Sequence, residues 1–131
     1  IGCAAANAVI DVMEEENLVE RANVIGKRMI ERLTDMKRKN SFGNRIGEIR
    51  GLGAMVACDL VKSDGSPDAD LTKAVVAKAA DNGLILLSCG VNANVLRFLM
   101  PLTIPEKQLE TGFDILEKSI GQAIEASAKV A

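Results

Sequence analysis

Apolar residues recur along this chain with two periods. Leu18, Ala22, Ile25, Met29, Leu33 and Met36 follow one another at intervals of three or four, the repeat that gathers side chains on one side of an α-helix. Asn17 with Glu20 three positions on resembles a capping box, with Asn in the capping place. The segment Asn40 to Gly43 ends this helix. Leu71, Ala74, Val75 and Ala79 mark another helix, with Asp68 placed to cap it and Gly83 to close it. Leu109, Phe113, Leu116 and Ile120 form the buried stripe of a last one. Thr103 caps it, Pro105 sits in its first turn and Glu106 completes a second capping box. The opening stretch, Cys3 to Met13, is also helical in pattern. Its alanines, with Val9, Ile10 and Val12, spread apolar surface over more than one side, so it is expected to lie between two packed layers.

Between these helices the pattern tightens. Ile46 to Arg50 has strand length, Gly51-Leu52-Gly53 reads as a tight bend, and Ala54 to Val61 as a largely buried strand. Ser63-Asp64-Gly65-Ser66-Pro67 is a turn. Leu84 to Leu87 is a continuous apolar run, and Val95 to Met100 is another, interrupted by Arg97. The order is α-α-β-β-α-β-β-α. Local strand pairs with few crossovers predict an α+β fold, a small and mostly antiparallel sheet covered by helices.

With 131 residues, 48% of them hydrophobic, the chain has the size and apolar content of a single domain spanning 1–131. Its apolar runs are too short and too broken by charge to cross a membrane as helices. It opens with Ile1-Gly2-Cys3-Ala4-Ala5-Ala6 and no signal-peptide pattern. That opening already reads as helix interior, as if cut from a longer protein. The net charge is −2 and acids and bases are interleaved. The densest basic run, Lys37-Arg38-Lys39, falls at a helix end, where cations suit the helix dipole. Aromatic residues make up 2% of the chain, which leaves no stacking platform for nucleic acid. Cys3, Cys58 and Cys89 form no CxxC pair. An odd count of scattered cysteines points to reduced thiols and a cytoplasmic setting. Histidine is absent, which removes histidine-based nucleophile pairs and histidine metal sites from this chain. So few reactive groups describe a part of an enzyme rather than a complete one.

Two features invite a chemical reading. Gly51-Leu52-Gly53 lacks the third glycine of a dinucleotide loop, because Val56 occupies that place, and it leads into a strand instead of a helix. A backbone bend is the better account. Arg97 is more informative. It stands in Val95-Leu96-Arg97-Phe98-Leu99-Met100, and a guanidinium is always charged, so burying it alone is very costly. It has to reach solvent, an acidic partner or a bound anion. From the residues alone, an ion pair at the sheet edge and a ligand role both remain open.

The blocks Gly83-Leu84-Ile85-Leu86-Leu87-Ser88-Cys89-Gly90, Asn94-Val95-Leu96-Arg97-Phe98 and Pro101-Leu102-Thr103-Ile104 resemble the C-terminal region of class III aminotransferases. Within that family they look most like the 4-aminobutyrate aminotransferases. Cys3-Ala4-Ala5-Ala6 through Glu14-Glu15-Glu16-Asn17-Leu18 resembles the helix after the family's phosphate-contacting turn. Arg50-Gly51-Leu52-Gly53-Ala54-Met55 resembles its small-domain strand entry. The blocks occur in family order and cover almost the whole chain.

The resemblance implies the small domain of a pyridoxal-phosphate enzyme of the aspartate-aminotransferase fold (fold type I). It implies amino-acid and keto-acid substrates, a large domain of the same chain, and a homodimer as the full-length enzyme. The Schiff-base lysine, the acid facing the pyridine nitrogen and most phosphate contacts belong to the large domain, and those blocks are absent here. Lys62, Lys73, Lys78, Lys107 and Lys118 are therefore given no cofactor role, Asp59 is not carried over as a catalytic acid, and the fragment alone is expected to be inactive. The matching position is Arg97, which in similar enzymes grips the α-carboxylate of glutamate or 2-oxoglutarate. In the family a large-domain glutamate takes over this arginine when 4-aminobutyrate is bound. Val91-Asn92-Ala93 departs from relatives that often carry bulkier residues there, which leaves substrate preference open. The expected activity is transfer of an amino group from 4-aminobutyrate to 2-oxoglutarate. The rivals are an ornithine, acetylornithine or other ω-amino-acid aminotransferase, and a free-standing α+β binding or regulatory module.

Overall fold

The computed structural model describes residues 1–42 and 44–128. Its elements run α1 (Gly2–Glu15), α2 (Leu18–Arg38), β1 (Ile46–Leu52), β2 (Met55–Leu60), α3 (Ala69–Asp81), β3 (Leu87–Cys89), β4 (Val95–Phe98) and α4 (Glu106–Ala128), with a short 3-10 turn at Asn40–Phe42. This is the order expected from the pattern. Gly43, read as part of the end of the second helix, lies outside the described residues.

The four strands form one sheet in the order β1-β2-β4-β3, and every neighbouring pair is antiparallel. Helices α2, α3 and α4 cover one face. From α2, Ile25, Met29, Leu33 and Met36 are buried, and from α4, Leu109, Phe113, Leu116 and Ile120. They meet Val56, Cys58, Leu60, Leu96 and Phe98 from the inner face of the sheet. Helix α2 comes unusually close to the β1–β2 bend. A Cβ on Gly26 would lie 1.9 Å from the Gly53 carbonyl oxygen, so no other residue fits there without moving the helix. Gly53 also has φ +52°, where a side chain is strained.

Along one edge of the molecule α2 and α4 are tied by charge. Arg28 donates to Glu110 at 2.6 and 3.0 Å, Arg32 to Asp114 at 2.6 Å, Arg21 to Glu106 at 3.2 Å, and Lys39 pairs with Glu117. The Arg28 hydrogen bond, with the nearby Arg28 and Arg32 charges, holds the Glu110 carboxyl below its usual range.

Several local signals act as the sequence suggests. The Asp68 carboxylate accepts from the Leu71 amide at 2.9 Å and caps α3, and it also takes Arg45 at 2.5 Å. Gly83, at φ +90°, closes α3 with the Leu84 amide bonded to the Ala79 carbonyl, a Schellman turn.

Two expectations need correction. Asn17 makes no side-chain cap. It sits in the left-handed region at φ 49°, ψ 47°, which Asn tolerates better than most residues, and it turns the chain from α1 into α2. The second capping box does not form: α4 begins at Glu106, which leaves Thr103 outside the capping place, and the Glu106 carboxylate pairs with Arg21. Helix α1 has no buried residue, so no layer among the described residues covers its apolar surface. In addition, the ladder of β3 starts at Leu87, the last residue of the apolar run. Leu86 is buried while Ile85 and Leu87 are exposed, so the run alternates in and out.

Candidate functional site

The face of the sheet opposite the helices carries the charged groups. Strand alternation sends Leu96 and Phe98 inward and Arg97 outward, and Arg97 is exposed. Register then fixes its neighbours. Arg97 is directly opposite Ala57 on β2 and Leu87 on β3, and Ala57 is opposite Arg50 on β1. Arg50, Ala57, Arg97 and Leu87 thus form one row across the sheet. The adjacent row holds Asp59, Val95 and Cys89.

The two arginines in that row differ sharply. Arg50 donates to Asp59 at 2.7 Å and lies 3.6 Å from Glu48. The Asp59 hydrogen bond, backed by the Asp59 and Glu48 charges, pushes the Arg50 guanidinium above its ordinary pKa. Arg97 has no ion pair and no side-chain hydrogen bond among the described residues. It borders a shallow recess of about 350 Å³ walled by Leu84 to Leu87 and by Phe98, Leu99 and Met100. A free planar cation beside apolar walls suits a ligand with a carboxylate and a short aliphatic chain. The ion pair at the sheet edge, which the sequence left open for Arg97, belongs instead to Arg50. Arg50 reads in the sequence as the last residue of a strand candidate, with no local signal of a charged partner, because Asp59 lies on the next strand.

Val91-Asn92-Ala93 forms the tip of the β3–β4 hairpin, closed by the Ala93 amide on the Gly90 carbonyl at 3.0 Å. It projects into solvent beyond Cys89 and Val95. Ala93 holds φ 50° without being glycine.

The described residues do not fit pyridoxal phosphate. Every lysine among them is exposed, Lys62, Lys73, Lys78, Lys107 and Lys118 included. Lys118 borders an open groove, but Asp114, Glu117 and Glu125 share it, and three carboxylates oppose a phosphate. No group of three or more His, Cys, Asp and Glu among the described residues is arranged to hold a metal.

The sheet order, the single helical layer and the charged open face define a class: the small α+β domain of fold-type-I transaminases. A PLP-bound aminotransferase mutant from Vibrio fluvialis superposes with a TM-score of 0.81 at 30% identity, over 99% of this chain and 28% of that one. The sequence profile described as aminotransferase class-III matches residues 1–120, and the chain belongs to that family. The 5-aminovalerate aminotransferase of Pseudomonas aeruginosa is 48% identical over 88% of this chain and 27% of its own length. The 4-aminobutyrate aminotransferase of Escherichia coli is 45% identical over 94% and 29%. The chain thus spans little more than a quarter of the length of these relatives.

Proposed function

We propose that this chain is the C-terminal small domain of a pyridoxal-phosphate-dependent transaminase that moves an amino group from 4-aminobutyrate to 2-oxoglutarate. Arg97 holds the α-carboxylate of the keto acid and of the glutamate formed from it. The observation that carries this reading is the state of Arg97: exposed beside an apolar recess, without a protein partner among the described residues, at the position matching the family's carboxylate-binding arginine. The cofactor, held by the large domain, supplies the electron sink. What this chain supplies is orientation. A guanidinium fork that takes both carboxylate oxygens fixes the direction of the keto acid, and the walls from Leu84 to Leu87 and Phe98 to Met100 exclude water from its chain. The parent enzyme works as a homodimer in the cytoplasm, in keeping with reduced, scattered thiols. Among the described residues no helix is long and apolar enough to cross a membrane.

A second amino donor, 5-aminovalerate, follows from the name of one relative, whose identity of 48% is close to the 45% of the 4-aminobutyrate enzyme. The two donors differ by one methylene, and both lack an α-carboxylate, so Arg97 has the same task with either.

A charge-assisted bond of this kind contributes roughly 1.5–3 kcal/mol. In the full-length enzyme Arg97→Lys keeps the charge but loses the fork, and the 2-oxoglutarate half-reaction should slow by about tenfold to a hundredfold. The donor half-reaction should lose less. Single-turnover kinetics of each half measure this, and an unchanged 2-oxoglutarate step returns Arg97 to a structural role.

A further inference from the structure

The open face poses a question of competition. The strands of the sheet carry two acids, Glu48 and Asp59. Asp59 is two residues from Ala57, which is the direct cross-strand neighbour of Arg97. It is therefore a diagonal neighbour of Arg97, at a Cβ separation of about 7 Å, within reach of a side chain as long as arginine. The recess that would receive a substrate carboxylate thus has a resident carboxylate next to it. In the structure Asp59 does not turn to Arg97. It is held by Arg50 Nη1 at 2.7 Å, and Glu48 lies 3.6 Å from the same nitrogen. Ala57, between the two arginines, contributes only a methyl group, and Val95 is the direct cross-strand partner of Asp59, so a swing of Asp59 toward Arg97 passes between these two side chains.

We infer that Arg50 is a positioning residue: by holding Asp59 it keeps Arg97 free for the carboxylate of the incoming keto acid. The inference rests on the reading of Arg97 given above. It explains why one arginine of a cross-strand row is paired twice while the other is paired with nothing on the described chain. It also makes a distinctive claim, since Asp59 becomes harmful only when Arg50 is removed.

The test uses the full-length holoenzyme with 2-oxoglutarate and 4-aminobutyrate as probes. Arg50→Met keeps the aliphatic stem and removes the charge. Asp59 then turns to Arg97, and the apparent KM for 2-oxoglutarate should rise by about fivefold, the upper end for displacing a solvent-exposed ion pair. The single-turnover rate at saturating 2-oxoglutarate should change much less. Adding Asp59→Asn should bring KM back to near the parent value, and Arg50→Lys, which keeps a cation for Asp59, should show a smaller rise. Asp59→Asn alone should leave KM where it is. A merely structural Arg50 would lower both half-reactions and would not be rescued by Asp59→Asn. An unchanged KM in Arg50→Met, or a double variant no better than the single one, overturns the inference. If Arg97→Lys impairs the 2-oxoglutarate step while Arg50→Met does not, only this inference falls. If Arg97→Lys has no effect either, the reading of Arg97 falls with it.

Discussion

Leu96 and Arg97 are consecutive on β4, yet one is 0% exposed and the other stands in the open. The same division runs through the whole sheet. On the inner face Val56, Cys58, Leu60, Leu96 and Phe98 pack against three helices. On the outer face Arg50 and Arg97 lie among apolar side chains that none of the described residues covers, with Met55 58%, Leu87 52% and Leu99 64% exposed. An inner face with few polar atoms is sufficient for stability. An outer face of cations set among bare apolar residues is poor for stability and good for recognition. Packing thus falls on one side of the backbone and the charged groups proposed to bind substrate on the other, so each should be alterable with little effect on the other.

The largest test of that division is Leu96→Ala. Truncating a fully buried leucine leaves a cavity, and it should cost about 2–5 kcal/mol in denaturant unfolding. Leu87→Ala, on the outer face of the neighbouring strand, should stay within about 0.5 kcal/mol. Equal costs for the two would erase the distinction.

A second test uses the cysteines. Burial on the inner face pushes the Cys58 thiol up to about 12, from an ordinary value of 9.0. The folded-state value is the higher one, so this contribution to stability is complete below about pH 9 and is lost as the pH rises toward about 12, at up to about 1.4 kcal/mol per pH unit. Cys58→Val should remove that part of the alkaline decline in unfolding free energy. By the same logic Cys3, exposed on α1, and Cys89, half-buried on the outer face, should react with a thiol reagent in the native protein. Cys58 should react only on unfolding. Labelling of all three at one rate would break the comparison.

Third comes Arg97→Lys, with its loss of about tenfold to a hundredfold in the 2-oxoglutarate half-reaction. The new point is that unfolding of the small domain should stay within about 0.5 kcal/mol of the parent, because an exposed and unpaired side chain contributes little to stability. A large loss of stability would place Arg97 with the inner face.

The smallest effect is a gain. Gly112 lies inside α4, and a Cβ there would meet only a Leu84 methyl carbon at 3.9 Å. It borders an apolar cavity of about 110 Å³ beneath the sheet, lined by Met29, Leu86, Phe98, Leu109 and Phe113 among others. Gly112→Ala should therefore stabilise by about 0.5–1 kcal/mol, from helix propensity and partial filling of the space, and a thermal melt can read it. A loss instead would mean that the inner face has no room to spare there.

Much of this architecture was legible from local pattern. The periods around Leu33, Val75 and Phe113 gave the three packed helices, and Asp68 and Gly83 marked the ends of α3, because caps and amphipathic stripes depend on residues a few positions apart. Where a reading failed, something distant had intervened. Glu106 opens α4 instead of closing a box with Thr103, and its carboxylate pairs with Arg21, which is far away in sequence. Helix α1 carries Val9 and Ile10 at 58% and 54% exposure. Its apolar surface was visible in the sequence, and no layer among the described residues covers it. The Leu84–Leu87 run has strand pattern throughout. The hairpin at Gly90–Asn94 instead set a register in which only Leu87 joins the ladder, opposite Arg97.

The sequence by itself determined the element types, the apolar inner face and the need of Arg97 for a partner outside an apolar strand. Those follow from periodicity and from the cost of burying a charge, and both are properties of short stretches of chain. Only the tertiary structure decided which arginine is satisfied. Arg50 and Arg97 are far apart in sequence and meet across Ala57 because of strand register, and register is a non-local property that one residue of slippage would reverse. That register gives Asp59 to Arg50 and leaves Arg97 free.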